Sequence, residues 1–111
     1  MKTPFLLLTF IALTLADSAA LADGNAKAGQ EKAQVCGACH GINGISTSDQ
    51  FPILAGQYKD YIVQALHEYK DGQRSNPIMK GMAANLSEED IRDLAEYFAG
   101  LPGPLNTLPH Q

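Results

Sequence analysis

Apolar positions recur along this chain with a helical period in three places, and one further stretch is apolar almost without interruption. The clearest periodic segment runs from Gln57 to Asp71. There Tyr58, Tyr61, Ile62, Ala65, Leu66 and Tyr69 fall at i, i+3, i+4, i+7, i+8 and i+11, a continuous stripe along one helix face. Gly72 supplies the stop, and the stripe is expected to be core packing. A second helix opens at Leu86-Ser87-Glu88-Glu89-Asp90. Ser87 is placed as the N-cap, the acidic first turn complements the helix dipole, and Asp90 at N3 makes a shortened capping box. Leu86 and Ile91 are spaced as a hydrophobic staple, Ile91, Leu94, Ala95 and Phe98 share a face, and Gly100 and Pro102 end the helix.

The third segment, Asn25 to Val35, is helical by composition, with Asp23 or Asn25 available as cap. Its ordered face, Ala26, Gly29, Ala33 and Cys36, consists of small residues and would let another helix approach closely. Between these helices, 41–56 and 73–85 read as loops rich in glycine, proline and short polar residues. The stretch Leu101 to Gln111, with its prolines, reads as irregular, and His110 within it is a poor candidate for a fixed ligand. No strand alternation is visible, so the expectation is an all-α domain.

The uninterrupted apolar stretch is Phe5 to Ala16. Its length, about 12 residues against the roughly 20 a bilayer span needs, disfavours a retained anchor, and Asp17 ends it. Lys2 before it and Ala20-Leu21-Ala22 after it complete a secretory signal, with cleavage expected before Asp23. Residues 1–22 are thus expected to be a removed leader and 23–111 a single domain. The leader takes away one lysine and one aspartate, leaving the net charge at −4. That acidity excludes nucleic-acid binding, which calls for a basic patch. A domain this short is marginal if it must build its core from side chains alone.

Both cysteines of the chain lie in Cys36-Gly37-Ala38-Cys39-His40. Two thiols separated by two residues, with a histidine directly after, form the attachment pattern of a c-type haem. Each thiol adds to one vinyl group on the porphyrin, and His40 can then reach the iron through a neutral imidazole nitrogen. A disulfide would leave His40 unexplained. A thioredoxin-like pair wants a βαβ context, and structural zinc wants four ligands. The loop after His40 should wrap the histidine side of the ring, where the carbonyl of Pro52 is a candidate acceptor for the second imidazole N–H. His67 lies roughly opposite the 58–69 stripe and should face water. Met79 and Met82 each carry a thioether that could fill the sixth iron position, or could be core filler.

Taken together, VCGACHG at 35–41, FPILAGQ at 51–57, DGQRSNPIM at 71–79 and MAANLSEEDIRDLAEYFAGL at 82–101 resemble the class I c-type cytochromes. The resemblance is closest to one half of the tandem dihaem periplasmic cytochromes and to their small monohaem relatives. It implies an all-α fold of three to five helices around one covalent haem c, with the first and last helices crossing near it. It implies covalent attachment at Cys36 and Cys39, His40 as proximal iron ligand and Pro52 as its carbonyl partner. In these proteins the distal methionine lies seven residues before the leucine preceding the serine cap, which selects Met79 over Met82. The chain ends soon after one such unit, so a single haem is expected.

Two filled axial positions would leave no site for substrate, so the resemblance implies a periplasmic one-electron carrier rather than an enzyme. Redox partner proteins would dock transiently at the exposed haem edge of a monomer with no membrane span. The alternatives are a haem subunit of a larger oxidase or dehydrogenase, or a haem protein with a labile sixth site.

Overall fold

A computed structural model describes residues 23–105. The expected leader and the end of the tail, His110 included, lie outside that range. Five helices are present among the described residues: α1 (Ala26–Lys32), α2 (Gln34–His40), α3 (Lys59–Asp71), α4 (Pro77–Ala83) and α5 (Glu88–Ala99). None is long and apolar enough to cross a membrane.

The expected first helix is two. Asn25 caps α1 with its side chain, accepting from the backbone N–H of Ala28. At Ala33, where φ is −72° and ψ −7°, the chain slackens for one residue before α2 carries the cysteine motif to His40. At the other end of the chain, α5 has the full capping box: Ser87 Oγ accepts from Asp90 N, and Asp90 Oδ2 accepts from Ser87 N.

The expected loop at 73–85 contains a helix instead, α4. Asn76, in an extended conformation, accepts from Met79 N with its side chain, and Pro77 sits at the first helical position. Proline is favoured there because its missing N–H would have no helical partner anyway. The proline and glycine that suggested a loop are compatible with a short, capped helix.

The frame is the crossing of α1 over α5, and it depends on absent side chains. A Cβ on Gly29 would lie 2.0 Å from the carbonyl oxygen of Asp93 and 2.8 Å from Cβ of Tyr97. The small face therefore brings the two backbones into direct contact. The crossing is pinned by a charge the sequence left unassigned. Asp93 is only 3% exposed, yet its carboxylate accepts from Asn25 N at 2.7 Å and from Lys32 Nζ at 2.6 Å. Lys32 also pairs with Asp90 at 2.8 Å. The Asn25 N–H and Lys32 hold the Asp93 carboxyl below the usual carboxylate range. Asp90 is lowered to about 2 by Lys32 and the Ser87 cap, and the two aspartates in turn push Lys32 up.

α3 packs against α5 and α4. The buried centre is small: Ala33, Ile62, Leu94, Ala95 and Phe98. Of the α3 stripe, only Ile62 is fully buried, while Tyr58 and Tyr61 remain 40% and 46% exposed. The stripe was expected to be core packing; Ile62 and Leu66 do pack there, and most of the stripe also forms the wall of a cavity.

Candidate functional site

α2 places Cys36, Cys39 and His40 at i, i+3 and i+4, so all three side chains share one face of one short helix. Gly41 ends that helix at φ 84°, a conformation that disfavours side chains, and a Cβ there would meet the Ile45 carbonyl at 2.4 Å. The chain turns at once. The carbonyl of Gly44 then accepts from Leu54 N at 2.8 Å and from Ala55 N at 3.0 Å, and Gly56 N donates to Phe98 O at 3.0 Å. These bonds tie the returning segment 51–56 to both the turn and α5.

The result is a fixed imidazole. His40 is 7% exposed, and its Nδ1 lies 2.7 Å from the carbonyl oxygen of Pro52. A carbonyl can only accept, so Nδ1 carries the proton and donates. That fixes the tautomer and leaves the Nε2 lone pair for a metal. The ring of Phe51 meets the His40 ring edge-on, with centroids 6.3 Å apart.

Cys36, Cys39, His40, Pro52, Met79 and Met82 all line one cavity of about 850 Å³. Its remaining wall is mainly apolar and includes Leu54, Ile62, Leu66, Leu94 and Phe98. Met79 is partly buried, whereas Met82 is 42% exposed. No disulfide joins the two cysteines, and burial pushes the Cys36 thiol up. His67 does not line the cavity; it lies at the surface, with Nε2 2.8 Å from Glu88 Oε2. Among the described residues no cluster of three or more His, Cys, Asp or Glu side chains could hold a metal ion. The zinc reading of the cysteines thus finds no ligand set among the described residues.

Of the lining residues that the sequence reading passed over, two make polar contacts beside the cavity. Among the described residues Arg74 is the one Lys, Arg, Asp or Glu side chain on the cavity wall. Its guanidinium stacks on the rings of Tyr61 and Tyr69, 5.6 and 5.3 Å from their centroids, and donates to Tyr61 Oη at 2.9 Å. No motif announces it. Asn76 is the other, and the Asn-Pro pair before an apolar residue was its available signal.

The residues fit a large flat prosthetic group. The volume is at the upper end of the roughly 300–1,000 Å³ of cofactor sites, the wall is apolar, and two thiols and a pre-oriented imidazole line the same space. Fold and site define a small all-α haem-binding protein. The chain belongs to the cytochrome c family: the family model for cytochrome c matches residues 26–102, and the family's cofactor is covalent haem c with its iron.

The relatives agree. A cytochrome c4 of Pseudomonas aeruginosa is 49% identical over 94 residues, covering 84% of this chain and 47% of that protein. Cytochrome c-554(548) of Halomonas halodenitrificans is 40% identical over 79 residues, covering 68% of this chain and 95% of that one. The crystal structure of reduced recombinant cytochrome c4 from Pseudomonas stutzeri superposes with a TM-score of 0.70 at 41% identity, covering 74% of this chain and 48% of that chain. The chain thus spans about half the length of the cytochromes c4 it matches.

Proposed function

We propose that this chain is a periplasmic one-electron carrier, with haem c held by thioethers at Cys36 and Cys39 and its iron ligated by His40 and Met79. Bound there, the haem supplies an iron centre that exchanges a single electron. The protein's part is to hold that centre still and dry. His40 is aimed by Pro52, which would keep its Nε2 turned toward the iron. Met79 offers a soft thioether, which raises the reduction potential, and the apolar wall disfavours the additional positive charge of the oxidised state. Arg74 brings a positive charge suited to the cofactor's carboxylates.

The observation that carries this reading is the convergence of His40, fixed through Nδ1, with both thiols and Met79 on one apolar cavity. Its partly buried position supports Met79 over the exposed Met82. With His40 and Met79 both holding the iron, no position would be left for a substrate, and the role would be transfer rather than catalysis. Partners are redox proteins that dock briefly on an acidic carrier. The leader-like residues 1–22 support export, with a mature chain that would start at Asp23.

The test is carbon monoxide binding. The ferrous protein is expected to resist carbon monoxide, and the ferric form to show the weak far-red absorption of a sulfur–iron bond. Rapid carbon monoxide binding by the native protein would mean an open sixth position and would overturn the carrier reading in favour of a catalytic or gas-sensing one.

A further inference from the structure

The helix that carries Met79 packs on α3 but buries little of its own surface. α4 is seven residues long, and Ala83 is its only buried residue. Ile78 is 60% exposed and Met82 42%. Gly81 sits in its interior with no atom within 4 Å of where a Cβ would be, and glycine costs a helix about 1 kcal/mol relative to alanine. So short a helix is not stable on its own propensity. What fixes its first turn is Asn76. The side-chain oxygen accepts from the backbone N–H of Met79 at 3.0 Å, and the Asn76 carbonyl accepts from Lys80 N at 2.9 Å. The peptide of Met79 is thus held directly by the residue three before it.

We propose that Asn76 is a positioning residue for the sixth ligand: its side chain, by capping α4 on the Met79 N–H, sets how often Met79 leaves the iron. This rests on the reading of Met79 as that ligand. Asn76 acts on the backbone of Met79 and holds the first turn of α4 together. When the cap is lost, the turn frays and the thioether is released more often. An external ligand competing for the ferric iron then binds more tightly in proportion to the population of the released state.

The experiment uses the full haem-loaded protein and imidazole as the competing ligand, titrated against the far-red band. Asn76→Ala should raise the apparent imidazole affinity about fivefold, the equivalent of the ~1 kcal/mol of a lost cap. Asn76→Ser, which can still cap, should restore an affinity close to that of the unsubstituted protein. Gly81→Ala has open space and strengthens the same helix, so it should move the affinity the other way. Affinities within twofold of one another across all three variants would overturn the proposal, as would a serine variant no better than alanine. Met79→Ala, measured alongside, separates the two levels. If it leaves the far-red band in place, the ligand reading itself fails; if it abolishes the band, the Asn76 result stands or falls alone.

Discussion

At the scale of single residues, the two methionines differ in burial and should differ in consequence. Met79→Ala is expected to abolish the far-red band, and Met82→Ala, at an exposed position, to keep it; the absorption spectrum of each ferric variant decides. Asp93 is a structural residue of comparable weight. Asp93→Asn loses a charge-assisted hydrogen bond to Lys32 and should cost roughly 2 kcal/mol in denaturant unfolding. The same carboxylates set an acid limit. Asp90, at about 2 when folded, and Asp93, also lowered, sit below the roughly 3.9 of an unfolded aspartate. Their contribution is complete above about pH 4 and is lost as the pH falls toward 2. Melting temperature should therefore drop across that window, and drop less for Asp93→Asn. Asp93 was illegible in the sequence because an aspartate on an acid-rich helix reads as solvent-facing; only the approach of α1 buries it. Arg74 was hidden for a similar reason, since its place on the cavity wall depends on stacking against Tyr61 and Tyr69 rather than on any spacing.

At the scale of elements, the α1–α5 crossing is the contact least able to absorb change. Gly29→Ala puts a methyl group into the Asp93 carbonyl, 2.0 Å away. Backbone cannot step aside as a side chain can, so a loss of about 2–3 kcal/mol is expected from chemical denaturation. The small face of α1 and the Ser87–Asp90 capping box were readable from residue type and spacing, and the first cap was narrowed to Asp23 or Asn25, of which the fold uses Asn25. α4 was not, because Pro77 and Gly81 were weighed as breakers; a proline at the first helical position, after a capping asparagine, starts a helix. The break at Ala33 was equally unreadable, as alanine is the best of helix formers and nothing local marks the slackening. The α3 stripe shows a deeper limit. Periodicity reveals that a face is buried but not whether protein or cofactor covers it, and here Ile62, Leu66 and Tyr69 face the cavity.

At the scale of the whole molecule, the side-chain core is a handful of residues around Leu94, Ala95 and Phe98, too little for a stable domain of this size. A buried ring hiding on the order of 500 Å² of apolar surface would contribute roughly 12 kcal/mol at most, comparable to the entire stability of a typical domain at about 5–15 kcal/mol. The residues lining the cavity would bury the cofactor against this cluster and so join it to the core. A Cys36→Ser/Cys39→Ser chain without haem should show most of its far-ultraviolet helical signal lost at 25 °C by circular dichroism. The five-residue motif made the haem legible from the sequence; that the stripe of α3 serves both the contact with α5 and the cavity wall became visible only in the fold.

The most direct test of the account is the mass of the tryptic peptide 33–59, released from exported protein after full denaturation. Attachment at Cys36 and Cys39 predicts the peptide mass increased by one haem that survives the denaturant. A peptide at its bare mass would contradict the covalent haem site and the electron-carrier reading built on it.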